Sequence, residues 1–272
     1  EMTRRLELSF EEYLELRDYC LEKGVDVFST PFDEESLDFL ISTDMPVYKI
    51  PSGEITNLPY LEKIGKQNKK VILSTGMATL EEIHATVKIL EDNGTEDISI
   101  LHCTTEYPTK YPDLNLNVIS TLKKEFPNQK IGYSDHSIGY EVPIAAAALG
   151  AEIIEKHFTL DNDMPGPDHK ASATPDILER LVKGVRIVET SLGKYEKEPV
   201  EAEIKNKIVA RKSIIAKKTI KKGEVFTEEN ITTKRPGNGI SPMNWYDILG
   251  KVSEYDFEED MLIKHSELKN QE

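Results

Sequence analysis

The stretch KIGYSDHSIGYEVPIAAAALGAEIIEKHFTL, residues 130–160, decides the fold of the amino-terminal part of this chain. Its first four residues and residues 153–158 have the apolar composition of strands, and residues 143–149 form an alanine-rich helical pattern. A strand, a helix and a second strand in this order predict two parallel strands joined by a crossover. Both strands then end at the same edge of the sheet. We therefore expect His136, just past the first strand, and His157, at the end of the second, to lie near each other.

Two imidazoles at this edge suit a divalent metal ion, because α/β proteins place their chemistry at the carboxyl ends of parallel strands. Carboxylates are close in sequence at Asp135, Glu155 and Asp161. A single histidine at a strand end is more often a hydrogen-bonded core residue. A pair separated by one structural repeat instead favours a metal site with open positions for substrate.

The composition excludes several classes of partner. The chain has 272 residues, a formal net charge of −15 and a pI near 5.0, which argues against nucleic acid or an anionic membrane as a partner. No apolar run approaches a membrane span, and the first residues do not resemble a signal peptide. The two cysteines, Cys20 and Cys103, fit a reducing compartment better than a disulfide framework. These features predict a soluble cytoplasmic protein.

Short apolar runs alternate with amphipathic helical patterns along the first two thirds of the chain, which predicts a parallel α/β sheet. The six runs are residues 25–29, 47–50, 71–74, 98–102, 130–133 and 153–158. A closed barrel of such units needs eight, and this chain opens on a helical pattern. We therefore expect a TIM (β/α)8-type barrel with six of eight units present, in a fragment that lacks the first two and is poorly active alone.

The character of the sequence changes after residue 193. Residues 1–193 are expected to form the barrel, and residues 194–207 are charged enough to be a linker or an exposed helix. Residues 208–272 contain short strands and turns rich in glycine and proline, which predicts a small β-rich module that packs on something else. Its lysine cluster, residues 205–222, is interpreted as a solvated face rather than an RNA site.

Other strand ends carry groups that suit a phosphate. Lys49 ends the second run and is followed by Ser52, Gly53 and Glu54 in a tight turn, while Ser74 ends the third run. A lysine, small hydroxyl residues and backbone N–H groups together bind oxyanions. Each fragment alone is a common turn, but their recurrence at one edge predicts an anion site.

The remaining histidines receive different interpretations. Asp168 and His169 lie in a loop stiffened by Pro-Gly-Pro, and a loop held in this way can present the Asp168 carboxylate accurately. His102 and His169 are candidates for extra metal ligands, but His169 is expected instead to face substrate or solvent. His102 is expected to be a core residue. His84 and His265 are interpreted as unrelated to the chemistry.

The motifs KIPSGE, ILSTGM, HCTTEYPT, GYSDHS, EKHFTL, GPDHKAS and KRPGNG, in this order, resemble the sialic acid synthases along the whole chain. The resemblance implies a TIM barrel followed by an antifreeze-like SAF domain. It also implies a transferase that condenses phosphoenolpyruvate with open-chain N-acetylmannosamine to give N-acetylneuraminate and phosphate.

The resemblance assigns roles to residues of this sequence. His136 and His157 match metal ligands, with Mn²⁺ as the expected ion and Mg²⁺ or Co²⁺ as alternatives. Glu54, Tyr107 and Asp168 match groups near the sugar and the reacting centre, and Glu54 is expected to handle the water that attacks C2. The residues that match other substrate contacts are Thr30, Lys49, Ser52, Ser74, Thr105, Ser134, Arg211 and Arg235.

The resemblance further implies a homodimer in which the SAF domain of one subunit covers the partner's barrel, with Arg235 acting there. Three alternatives stay open. The product could be legionaminate or pseudaminate, made from a modified sugar. The carboxyl-terminal module could be ice-binding, or the chain could bind phosphoenolpyruvate without turnover.

Overall fold

A computed structural model describes residues 7–264 and 268–269 of the chain. The chain separates into two compact units, Glu1–Gly193 and Lys194–Glu272. The first unit contains a five-stranded, wholly parallel sheet with the strand order β1-β2-β3-β4-β5. Neighbours in the chain are therefore neighbours in the sheet, which is the winding of a barrel rather than of a doubly wound sheet, where the order reverses.

The strands alternate with helices after an opening helical pair. The elements of the first unit, in chain order, are α1 (Phe10–Glu22), α2 (Glu34–Ser42), β1 (Val47–Ile50), α3 (Leu58–Gly65), β2 (Lys70–Ser74), α4 (Leu80–Asp92), β3 (Ile98–Cys103), α5 (Asn117–Glu125), β4 (Lys130–Asp135), α6 (Glu141–Ala148), β5 (Ile154–Lys156) and α7 (Pro175–Leu192).

Helix and strand boundaries follow local chemistry. The α4 helix begins with a reciprocal capping box, in which the Thr79 hydroxyl accepts from the Glu82 N–H and the Glu82 carboxylate accepts from the Thr79 N–H. The inner faces of the helices pack on a strand core that includes Ile50, Leu73 and Ile100, each fully buried. Burial of this apolar surface holds the sheet and its helices together.

The predicted crossover is confirmed, with shifted boundaries. The α6 helix starts at Glu141, two residues before the predicted start, and β5 is limited to three residues. Residues 25–29 do not form a paired strand, which corrects the first of the six predicted runs. Val25 and Phe28 in this segment are exposed, because no described strand lies against them to complete a ladder.

The second unit has its own small core. Helix α8 (Glu201–Ala210) begins inside the segment predicted as a linker or exposed helix, and none of its residues is buried. Two antiparallel pairs follow, which involve β6 (Ser213–Ala216), β7 (Ile231–Lys234), β8 (Val252–Ser253) and β9 (Leu268–Lys269), with the short helix α9 (Trp245–Ile248) between them. Phe226 and Phe257 lie at the centre of this core. None of the helices that the structure describes is both long and apolar enough to cross a bilayer.

Candidate active site

The carboxyl ends of the strands bring a lysine and two serines together, as the sequence predicts. Lys49 is buried at the end of β1, and its Nζ donates to Ser74 Oγ at the end of β2 over 2.8 Å. In the turn after β1, Ser52 Oγ accepts from the Gly76 N–H at 2.9 Å. An ideal Cβ on Gly76 would lie within 3 Å of both Ser52 Oγ and Thr105 Oγ1, so only glycine lets these loops approach. This cluster offers the donors that an oxyanion requires.

Alternation along β4 and β5 sorts the side chains onto two faces. Ser134 and Glu155 are register partners, and Ser134 Oγ donates to Glu155 Oε1 at 2.7 Å. On the same face, Glu155 Oε2 lies 3.5 Å from Lys49 Nζ. The next pair along the strands, Asp135 and Lys156, points to the opposite face. Glu155 therefore belongs to the anion cluster, and Asp135 is not available as a metal ligand.

The two histidines meet, which confirms that the crossover places them together. The His136 and His157 ring centroids are 5.3 Å apart with the planes nearly perpendicular. The Tyr107 ring packs on both, at 4.1 Å from His136 and 5.4 Å from His157. The three rings thus form one wall beside the serine and lysine cluster.

One nitrogen of His136 is already used. Its Nδ1 lies 2.7 Å from the Thr104 carbonyl, which can only accept, so the proton of the neutral ring is on Nδ1. Burial lowers the pKa of the His136 imidazole, against the opposing effect of the Thr104 hydrogen bond. The ring is therefore neutral at pH 7 and leaves the Nε2 lone pair available to a ligand.

The loop after β5 carries the predicted carboxylate to this wall. Asp168 Oδ2 lies 3.9 Å from His157 Nδ1, and Asp168 has a left-handed backbone with φ of 64°. Within the same loop, His169 Nδ1 is 2.8 Å from Thr159 Oγ1. A cavity of about 230 Å³ lies here; its lining includes Tyr107, Pro108, Met164, Asp168 and His169.

The residues present fit a metal ion held by two imidazoles. His136 presents a neutral ring with a free Nε2, and His157 is about one-third exposed beside it. Within residues 7–264 and 268–269, no group of three or more histidine, cysteine, aspartate or glutamate side chains could hold a metal. His136 and His157 would be the ligands that the protein supplies, and the other positions would be left to substrate and water.

Four other predicted residues have local contacts or cavities of their own. Glu54 is in the turn after β1, and its Oε2 accepts from Asn57 Nδ2 at 2.6 Å. Thr30 lines a different cavity, of about 330 Å³, together with residues of α1 and α2. Arg211 and Arg235 belong to the second unit, where Arg235 Nε donates to the Ala210 carbonyl at the end of α8.

The structure describes two of the three other histidines, His84 and His102. His102 is buried, and its Nε2 donates to the Leu114 carbonyl, which confirms a core role. His84 is on α4, with its Nε2 3.4 Å from the Glu125 carboxylate. His265 lies outside the described residues.

Comparison with known proteins identifies the family of this chain. The NeuB family matches residues 1–197, and the SAF domain matches residues 211–269. The chain belongs to the NeuB family. It is 48% identical over 266 residues to an N,N'-diacetyllegionaminic acid synthase of Campylobacter jejuni, which covers 97% of this chain and 79% of that protein. The predicted resemblance to sialic acid synthases and the predicted SAF domain are thereby confirmed.

Solved structures of other proteins have the same fold as this chain. The chain superposes on a sialic acid synthetase from Leptospira borgpetersenii, in complex with citrate, with a TM-score of 0.71 and 37% identity, covering 75% of this chain and 71% of that one. It also shares its fold with a truncated 3-deoxy-D-arabino-heptulosonate 7-phosphate synthase from Thermotoga maritima, with a TM-score of 0.60 and 23% identity, over 69% of this chain and 74% of that one. The expected TIM-type barrel followed by an SAF domain is confirmed.

Two residues of the anion cluster are missed by sequence reasoning. The sequence indicates Glu155 only as an acidic neighbour of the metal. It indicates Cys103 only as a reduced thiol, but Cys103 lies against Ser52 and Ser134, with Sγ 3.8 Å from His136 Nδ1, and burial raises the pKa of its thiol. A strict period of two, counted along β3, β4 and β5, would have placed both on the inner face.

Proposed function

We propose that this NeuB-family chain condenses phosphoenolpyruvate with an open-chain sugar aldehyde of the N-acetylmannosamine type and releases phosphate. The observation that carries the proposal is the position of the Lys49 and serine cluster beside the His136 and His157 pair, at one edge of the sheet. An anion site next to a cation site is what a doubly charged enol phosphate and a polarised aldehyde require.

The strand-end donors would bind and orient the phosphate and carboxylate of phosphoenolpyruvate. Lys49 supplies the charge, and Ser52, Ser74 and Ser134 supply hydroxyl groups. Because Lys49 is buried, its charge is poorly screened by water and acts strongly on an anion at short range. Thr30, Thr105, Arg211 and Arg235 are proposed as further substrate contacts on the resemblance alone.

His136 and His157 would hold the divalent ion, with Mn²⁺ first and Mg²⁺ or Co²⁺ as alternatives, and the bound ion would supply Lewis acidity to the aldehyde oxygen. Tyr107 packs on both rings and limits their movement. Asp168, beside His157, would accept a hydrogen bond from a sugar hydroxyl. Glu54, held by Asn57, would orient the water that adds to C2.

The acceptor sugar is the finer part of the proposal. Plain N-acetylmannosamine, giving N-acetylneuraminate, is one candidate. Its 6-deoxy diamino analogue is the other, and one observation favours it. The Campylobacter jejuni relative named for a diacetylated product is 48% identical to this chain.

Assembly and location belong to the same proposal. Residues 1–193 would be the catalytic domain, residues 194–207 the connection and residues 208–272 the domain that covers the site of a second copy. Arg235 is exposed, and the contact of its guanidinium with the Ala210 carbonyl is made through Nε. Both cysteines are free, which supports a cytoplasmic location.

The test is an assay of phosphate release from phosphoenolpyruvate with each acceptor, before and after chelation and with Mn²⁺ restored. We expect release that depends on metal and acceptor, with a higher kcat/KM for the diamino analogue. A higher kcat/KM for N-acetylmannosamine would reverse the choice of acceptor. Phosphate release at the same rate in the absence of an acceptor would contradict the condensation. The absence of phosphate release with either sugar would also contradict it.

A further inference from the structure

Behind the imidazole pair, on the opposite face of the sheet, Asp135 and Lys156 form a buried ion pair that the proposed mechanism does not use. Lys156 Nζ lies 2.6 Å from Asp135 Oδ2, and the two side chains are 3% and 0% exposed. The residues are register partners on β4 and β5. Each directly precedes one of the histidines, since His136 follows Asp135 and His157 follows Lys156.

Further hydrogen bonds extend the pair to the residue after His136. Asp135 Oδ1 accepts from Ser137 Oγ at 2.7 Å, from the Ser137 N–H at 3.1 Å and from Tyr133 OH at 3.1 Å. Lys156 Nζ also donates to the Ser137 carbonyl at 2.6 Å. The backbone on both sides of His136 is therefore tied to the β5 residue that precedes His157.

Stability alone does not account for a charged pair in this place. A buried ion pair must offset the large cost of removing both charges from water, and well-packed apolar residues often give equal or greater stability. What an ion pair with directional hydrogen bonds adds is a defined geometry. Here five such contacts, including the ion pair, fix the two backbone segments from which the imidazoles project.

We infer that Asp135 and Lys156 are positioning residues, which set the separation of the His136 and His157 rings and through it the affinity for a divalent cation. The inference rests on the proposed function, in which those rings hold the metal. Neither Asp135 nor Lys156 would touch the metal or the substrate, because both side chains lie on the other face of the sheet.

The test replaces the ion pair without leaving a lone buried charge, in the double variant Asp135→Leu/Lys156→Met. Thermal unfolding of the metal-free chain first establishes that the variant folds. Titration with Co²⁺ alone, followed by visible absorption, then gives a Kd and a ligand-field spectrum. Loss of groups that orient metal ligands typically weakens metal binding about 10- to 100-fold. We expect a loss in this range with an altered spectrum, while Lys88→Met, which breaks an exposed ion pair on α4, keeps the wild-type Kd.

A folded double variant with the wild-type Kd and spectrum would overturn the positioning role. If the double variant does not fold, Ser137→Ala is tested instead, because it removes only one hydroxyl contact. We expect Ser137→Ala to bind Co²⁺ more weakly than the wild type does. A wild-type Kd for Ser137→Ala would also overturn the positioning role. His136→Ala separates the two proposals. Unchanged Co²⁺ binding in His136→Ala would refute the metal site itself, whereas lost binding there with wild-type binding in the double variant refutes only the positioning role.

Discussion

Glu155 Oε2 lies 3.5 Å from Lys49 Nζ, although the two residues come from β5 and β1, the outermost strands of the five-stranded sheet. Four strand spacings of about 4.8 Å would separate these strands by roughly 19 Å in a flat sheet. The sheet must therefore curl until its ends face each other across the interior. This curvature is what turns five strand ends into one site.

The same contact predicts the effect of Glu155→Gln on anion binding. A carboxylate beside Lys49 competes with an incoming anion for its charge, so its neutralisation should strengthen binding. We expect inorganic phosphate to bind about three- to tenfold more tightly, since the pair is partly exposed and such pairs contribute roughly 1 kcal/mol. Calorimetric titration measures this. Glu81→Gln, on the surface of α4, is the matched control, and weaker phosphate binding in Glu155→Gln would contradict the competition.

A second prediction concerns the close approach of two loops at Gly76. In Gly76→Ala the new methyl group would collide with Ser52 Oγ and Thr105 Oγ1, so the Ser52 hydroxyl must move. We expect the free energy of unfolding to fall by about 1–3 kcal/mol, as for other overpacked sites, and phosphate affinity to fall with it.

Gly53→Ala provides the control for this prediction, because nothing lies within 4 Å of its added Cβ. Its stability should stay within about 0.5 kcal/mol of the wild type. Chemical denaturation of both variants makes the comparison. Equal effects of the two substitutions would show that the approach of the loops at Gly76 is not constrained.

The third prediction is a dependence of stability on pH. Burial lowers the pKa of His102 below its usual 6.5, and the same holds for His136. The unfolded chain therefore binds more protons than the folded chain just below pH 6.5, so stability falls as the pH drops through this window. Each histidine contributes at most about 1.4 kcal/mol per pH unit.

His102→Gln tests this dependence because His102 has no proposed role in the reaction. Denaturation at several pH values between about 5 and 7.5 gives the slope of stability against pH. The slope should be smaller in the variant than in the wild type, whatever the absolute stability of the variant. Identical slopes would show that His102 does not contribute.

The fourth prediction addresses whether Arg235 acts on the site of a second copy. Arg235→Ala and His136→Ala, each expected to be inactive, are mixed under conditions that let subunits exchange. If Arg235 acts in trans, one site of each mixed dimer has an intact barrel and an intact arginine. About one quarter of the wild-type activity should then return, since half of the dimers are mixed. A mixture as inactive as its parents would indicate action within one chain.

The sequence by itself determined the order of strands and helices, the crossover that unites His136 with His157, and the lysine and serines at the strand ends. These features depend on local periodicity and on the single hand of parallel crossovers, both of which can be read along the chain. It did not determine that residues 25–29 pair with no strand among the described residues, because pairing depends on which segments lie alongside.

Only the tertiary structure decided which polar side chains share a face and how far the sheet curls. Glu155 joins Lys49 rather than the histidines, and Asp135 joins Lys156, because successive side chains of β4 and β5 point to opposite faces and the curl brings β5 towards β1. A shift of one residue in the register would exchange these partners. Register and curvature are set by packing across the whole sheet, and no short stretch of sequence contains them.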